Sequence, residues 1–220
     1  MSTITAAVPS LHQPDAKPAR IEAYDVARAL AILGMIIVNF KLVMGSSSAG
    51  PGWLIFPTSL LEGRAAALFV VLAGVSLSLL SRRAFIEGDQ SARHDARRRV
   101  LRRSAFLRVF GLLLALIWPA DILHFYSLYL ALGAALLFVP VRQLWWAMIA
   151  VMVVFQVLFF IMDYDAGWDW DTLTITDFWT APGIVRHLLF NGFHPLFPWS
   201  AFLILGMWLG RQDVLDPAVR

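Results

Sequence analysis

Residues 144–162 read LWWAMIAVMVVFQVLFFIM, a run without charge, proline or glycine. A helix crossing a bilayer needs roughly 20 such residues. Working outward, comparable apolar runs occupy 26–44, 65–80, 105–118, 122–139 and 197–209, so the sequence predicts about six spanning helices in an all-α polytopic bundle. The runs at 105–118 and 197–209 are the short ones. Pro119 parts the third from the fourth and Pro140 closes the fourth, because proline cannot continue the helix before it and favours a new first turn. Barrel strands would alternate apolar and polar residues over about ten positions. These runs are continuous, and helices satisfy their own backbone in hydrocarbon.

Composition agrees. Of 220 residues, 59% are hydrophobic and 15% charged, and the mean hydropathy is +0.69, whereas ordinary soluble domains are about a quarter charged. The absence of cysteine excludes disulfide frameworks, thiolate metal sites and cysteine nucleophiles. A pI near 9.7 would suggest a polyanion, but the basic residues gather between Arg82 and Arg108 beside apolar runs. There they orient the chain, and nucleic acid is not an expected partner. With the N-terminus cytoplasmic, the inner segments hold 15 of the 18 basic residues, leaving Lys41, Arg64 and Arg186 outside. Residues 1–23, broken by Pro9, Pro14 and Pro18, read as a disordered cytoplasmic tail rather than a cleaved signal. Residues 24–211 form the membrane domain and 212–220 a short inner tail. The expected location is the cell membrane, the cytoplasmic membrane of a bacterium.

Polar residues inside spans usually face protein or water. Asp25 and Arg28, three apart, are helix neighbours, and Asn39, eleven residues on, faces the same way about 16 Å further along. The stripe is either a polar conduit or an interfacial ion pair plus one helix–helix hydrogen bond. Gly63, Ala67, Gly74, Ser78 and Ser81 make a small-residue packing face, and Gly206/Gly210 have the same packing meaning. Asp121 and His124 are spaced so that a carboxylate can orient an imidazole; the bland alternative is a first-turn carboxylate on a helix dipole. His194 stands in NGFHPLFPW, residues 191–199, where glycine and prolines fix the backbone and a histidine can act as a base. Glu62 and Arg64 flank the second run, either as interfacial charges or as the mouth of a polar cavity.

The segment 163–195 holds five aspartates with Trp168, Trp170 and Trp179, and a loop this long is often functional. Thr180-Ala-Pro-Gly predicts a helix start, with a short helix lying on the outer surface. Asp165, Asp169 and Asp171 imitate a calcium loop, but Trp170 replaces its glycine and Thr176 its glutamate. His187 and His194 lack zinc-protease spacing, so no metal is expected.

RIEAYDVARALAILGMIIVN, residues 20–39, resembles the first-helix signature of the heparan-α-glucosaminide N-acetyltransferase-like membrane family and its YeiB-type relatives. EGRAAALFVVLAGVSL at 62–77, RRSAFLR at 102–108, FGLLL at 110–114, the 191–199 block and LGMWLGR at 205–211 resemble later blocks. The resemblance implies a multi-pass membrane acyltransferase that moves an acyl group, acetyl first, from cytoplasmic acyl-CoA to an amine or hydroxyl acceptor on the other face. In that reading Asp25, Arg28, Asn39, Arg102, Arg103 and Arg108 serve the acyl-CoA, and His194 or His124, with Asp121, serves as base or relay. Glu62, Arg64, Trp168 and Trp170 meet a small-molecule or glycan acceptor. The chain departs from the characterised branch in having no histidine between 44 and 61 and fewer spans, as a fragment or short member would. A transporter or exporter of a small polar or lipidic solute, or a non-catalytic subunit, would use the same buried polar residues without covalent chemistry. The bilayer is the expected partner, and oligomer formation is left open.

Overall fold

The computed structural model describes residues 22–44, 50–118 and 120–212. The expected N-terminal tail lies outside these residues except for positions 22 and 23, which open the first helix, and the expected C-terminal tail lies outside except for position 212. The described residues form α1 (Glu22–Val43), α2 (Gly52–Ser59), α3 (Arg64–Glu87), α4 (Gln90–Leu114), α5 (Leu123–Leu136) and α6 (Val141–Ile161). A two-strand hairpin follows, β1 (Trp168–Asp169) antiparallel to β2 (Thr174–Ile175). The described residues close with α7 (Ala181–Arg186), a π-helical turn His187–Asn191 and α8 (Leu196–Leu209).

Three stretches are long and apolar enough to cross a membrane: α1, the Gly52–Ile86 stretch built from α2 and α3, and α6. The pair Ala181–Asn191 and Leu196–Leu209, bent by 46°, makes a fourth if it is one span. Sequence reading expects six. The stretch at 105–118 proves to be the end of a 25-residue helix whose first half is arginine-rich. The one at 122–139 shrinks to the 14 residues of α5, short of a full span. Nor is the basic segment after residue 81 a loop. Gly88, at φ 70°, ends α3 in the left-handed conformation, which glycine adopts without side-chain strain. Asp89 then caps α4, accepting the N–H of Ser91 at 3.1 Å and of Ala92 at 3.3 Å. Those bonds, the Ser91 hydroxyl first, hold its carboxyl below the ordinary value. A two-residue turn therefore joins two helices whose ends carry the positive charge.

Large apolar side chains on α1 and α6 stay exposed on their outward faces, as lipid-facing helices require. Inside, α3 packs on α8, α4 on α5, α6 on α8 and α1 on α3. The α3–α8 crossing is the tightest: a methyl added at Gly206 would lie 1.9 Å from the Val71 carbonyl oxygen, and one at Gly74 would lie 2.1 Å from that of Leu203. Small residues allow such approach without a hydrophobic drive between helices. Ser78, buried on the same face, donates to the Met207 carbonyl at 2.7 Å. Gly74 and Ser78 of the predicted stripe thus share one packing seam with Gly206 and Gly210, whereas Gly63 is exposed with nothing within 4 Å of an added methyl. Next to this seam Arg211 donates to the carbonyls of Leu136 and Leu137 at 3.0 Å each and to that of Val139, satisfying the end of α5. The buried core between these seams is Phe125, Tyr129, Leu203, Ile204 and Met207.

Gly206→Ala is expected to cost about 1–3 kcal/mol as overpacking against backbone that cannot yield. Gly52→Ala, where an added methyl meets nothing within 4 Å, should change stability by less than about 0.5 kcal/mol. Thermal unfolding of the two variants in the same detergent checks the contrast.

Candidate functional site

The site begins with one carboxylate. Asp121 stands just before α5 and caps it: its Oδ2 accepts the N–H of Leu123 at 2.9 Å and of His124 at 3.3 Å, donors that a helix start leaves without partners. The same oxygen lies 3.1 Å from His124 Nδ1. The predicted carboxylate–imidazole pair therefore forms, buried to 5% and 0% exposure. The other nitrogen of that ring, Nε2, lies 3.3 Å from Nε2 of His187. Both ring nitrogens of His124 are thus engaged, and no substrate reaches it directly.

His187 opens the π-helical turn. Sequence reading expects a short helix on the outer surface at this place. Instead α7 begins at its predicted cap, Thr180, whose hydroxyl accepts the Gly183 N–H at 3.1 Å, and the chain then runs inward, burying His187, Leu188, Phe190 and Asn191. Apolar Leu188 and Phe190 join the core, and the wide turn seats His187 beside Phe125, ring centroids 4.8 Å apart. A methyl at Gly192 would lie 2.4 Å from the His187 carbonyl, so the turn closes only with glycine there. The 163–195 segment is pinned to this turn. Asn191 Nδ2 donates to the carbonyls of Tyr164 and Ala166, both at 2.9 Å, Trp168 Nε1 donates to the Asn191 carbonyl at 2.7 Å, and Arg186 pairs with Asp177 at 2.7 Å.

His194 lies between the turn and α8, its ring 4.6 Å from that of Trp199 and 6.1 Å from that of Phe125. Tyr129 donates its hydroxyl to the His194 carbonyl. Among the described residues, Nδ1 of His194 and Nδ1 of His187 are both buried without a hydrogen-bond partner. Unpaired buried polar atoms are rare and costly, and here two stand in one cluster.

Two cavities, the first and third below, touch these residues, and another lies elsewhere in the bundle. The first, about 150 Å³, is lined by Asn39, Asp121 and His194 together with Met35, Gly63 and Trp118. The second, about 500 Å³, is lined by Ser76, Arg102, Arg103, Phe106 and Tyr126. Arg28 donates to Ser76 at 2.6 Å and lies 3.6 Å from Asp25, so Arg28 and Asn39 both turn toward the bundle, one near each cavity. The third, about 80 Å³, is lined by Thr174, Phe178, Trp179, His187 and Phe193.

Not every candidate joins them. Arg108 donates to Ser127 at 2.8 Å and braces α4 on α5. Glu62 pairs with Lys41 at 2.7 Å, and Arg64 donates to the Leu60 carbonyl; only Gly63 between them reaches a cavity. Trp168 and Trp170 stack on each other at 4.5 Å, Trp170 donating to Asp165, so they pack the loop. Asp169 accepts from Thr172 and Asp171 within its own turn, which holds its carboxyl below the ordinary value, the Thr172 hydroxyl first. Sequence reading passes over Ser76 and Tyr126, names Trp179 only among the loop tryptophans, and considers His187 only as a zinc ligand. His187 carries a signal only in retrospect, as a polar residue in the apolar stretch IVRHLLF.

The family model described as "Heparan-alpha-glucosaminide N-acetyltransferase, catalytic" matches residues 20–216. No curated protein and no solved structure matches the chain.

Asp121→Ala should lower stability by about 1–3 kcal/mol, because two amides and a buried imidazole lose their acceptor together. Asp121→Asn, which keeps an oxygen there, should lose less. Unfolding midpoints in detergent order the pair.

Proposed function

Since the chain belongs to the heparan-α-glucosaminide N-acetyltransferase catalytic-domain family, we propose that it is a multi-pass membrane acyltransferase. It moves an acyl group, acetyl first, from a cytoplasmic acyl-CoA to a sugar-like amine or hydroxyl on the other face. The observation that carries this reading is the meeting of Asn39, Asp121 and His194 around one cavity of about 150 Å³.

In the reaction His194 takes a proton from the acceptor as its nitrogen or oxygen attacks the thioester carbonyl. The carbon–sulfur bond then breaks, and the leaving thiolate receives that proton. General-base help of this kind is worth about 10²–10⁴ in rate. The Asn39 carboxamide has two N–H donors with which to hold the carbonyl oxygen as it gains charge. Asp121 keeps His124 oriented behind the cavity.

The donor enters at the larger cavity. Arg102 and Arg103 offer planar forks that match phosphate, the apolar lining accepts an extended arm, and Arg28 on Ser76 sits at its edge. Asn39 is three turns further along α1, about 16 Å away, which sets the distance from phosphate to reacting carbonyl. The positive-inside asymmetry supports a cytoplasmic N-terminus and puts residues 163–195 on the acceptor side.

Purified chain supplied with acetyl-CoA and a panel of amino sugars should give acylated product by mass spectrometry. His194→Ala should reduce kcat by about a hundredfold or more with an unchanged unfolding midpoint. Near-full activity in that variant removes His194 as base, and absence of transfer from any acyl-CoA removes the reading itself. Arg103→Ala should raise KM for acyl-CoA and leave that for the acceptor alone. A single cysteine introduced as Trp170→Cys in this cysteine-free chain should label from outside intact cells; labelling only after permeabilisation would invert the orientation.

A further inference from the structure

The first half of α4 has no part in that reaction scheme, yet two of its arginines are built into the bundle rather than left on a solvated face. Arg93 and Arg97 are four apart and project from one side of the helix. Both reach the same ring: their guanidinium carbons lie 5.4 and 5.8 Å from the centre of Phe138. Phe138, just past α5, stacks on Phe85 of α3 with centroids 6.5 Å apart, and Arg211, just past α8, lies over Phe85 at 5.4 Å. Three half-buried cations thus converge on one aromatic pair.

No acid balances them. Among the described residues none of the three arginines pairs with a carboxylate. Asp95 lies between Arg93 and Arg97 in the sequence, but residues two apart do not face each other on a helix. Their partners are carbonyls instead. Arg93 Nε donates to that of Ala84 at 3.4 Å and Arg97 Nε to that of Ala134 at 3.0 Å, while Arg211 closes the end of α5. The ends of α3, α5 and α8 meet here, and each supplies roughly half a negative charge, so the three guanidiniums remain in excess. The bonds of Arg93 and Arg97 use Nε alone. Their four Nη atoms have no partner among the described residues, and none of them is buried. Like charges four apart on a helix repel, and an anion held between these two forks removes that repulsion.

The apolar setting selects the anion. The cluster stands where the apolar Gly52–Ile86 stretch ends, and Phe85 and Ile86 there are 42% and 72% exposed. Guanidinium forks match phosphate oxygens, and basic pockets between helix ends at a membrane surface hold anionic headgroups. A free phosphate would occupy the forks and leave Phe85 and Ile86 bare, whereas a lipid covers both.

We propose that Arg93 and Arg97, seated on Phe138 and backed by Arg211, bind the phosphate of an anionic phospholipid in the leaflet on the arginine-rich side. Phe85 and Ile86 lie along its chains. The site goes beyond the acyltransferase reading and does not depend on it.

Native mass spectrometry of the full chain, released from detergent micelles holding phosphatidylglycerol and phosphatidylcholine in equal amounts, reads the site directly. The wild type should retain phosphatidylglycerol over phosphatidylcholine by about tenfold or more, the weight of hydrogen bonds to a charged group. Arg93→Gln/Arg97→Gln should lose that preference. Arg98→Gln/Arg99→Gln, which removes the same charge from exposed positions on the same helix, should keep it. Phe138→Leu changes no charge and should lower retention by unseating both forks. Unfolding midpoints in lipid-free detergent check that each variant is folded; if the Arg93/Arg97 variant is not, the wild-type preference and Phe138→Leu still decide. No preference in the wild type, full retention in Phe138→Leu, or equal losses in the two double variants would overturn the proposal, the last meaning a diffuse basic field. Displacement of phosphatidylglycerol by an equal concentration of glycerol 3-phosphate would also overturn it, making the ligand a soluble phosphate.

Discussion

A carboxylate in the interior of an apolar helical bundle is the constraint around which the hairpin end of this molecule is arranged. An isolated buried charge costs several kcal/mol unless hydrogen bonds and a partner offset it. Asp121 meets that demand with two backbone amides and the His124 ring. The consequences spread from there. The amides start α5, whose first turn lies so close to α4 that Gly111 has no room for a methyl: one would sit 2.4 Å from the backbone nitrogen of His124. The ring requires a second polar partner, which α7 and its wide turn supply by dipping into the bundle. The hairpin and its tryptophans then fasten that turn from outside through Asn191.

The second constraint is the α3–α8 seam. Because Gly74 and Gly206 let the two backbones touch, α8 is drawn against α3, and His194 at its entrance comes to the cavity that Asn39 of α1 also reaches. The same helix α3 presents Ser76 to Arg28. One helix thus positions both ends of the polar stripe on α1, the cationic cavity at one end and the histidine cluster at the other. An acyl carrier bound at the first and an acceptor bound at the second would meet where the stripe ends.

Sequence patterning made the helical, membrane-type architecture legible, along with the packing seam, the Asp121–His124 pair, the inward face of α1 and the Thr180 cap, because each is a local matter of spacing on a helix. The number of crossings was not legible. Leucine-rich ends such as 105–118 look alike whether they span or merely extend a charged helix, and Gly88-Asp89, a clear stop-and-start signal, was hidden inside a basic run. The role of His187 escaped because its partner is 63 positions away and, apart from Arg186, the residues around it in the chain are apolar. Trp168 and Trp170 looked like sugar-binding residues, but a tryptophan with a bonded indole nitrogen and a stacked neighbour packs as readily as it binds, and spacing does not separate the two.

The proposed reaction is vectorial, with donor and acceptor on opposite faces and the acyl group passing through the Asn39–Asp121–His194 cavity. Proteoliposomes carrying amino sugar inside and radiolabelled acetyl-CoA outside, with the chain inserted so that its arginine-rich α4 faces out, test this directly. The account predicts labelled N-acetyl product accumulating in the lumen. Acetylation confined to sugar on the same side as acetyl-CoA, or unchanged acetyl-CoA on one side with sugar crossing unmodified, would contradict it.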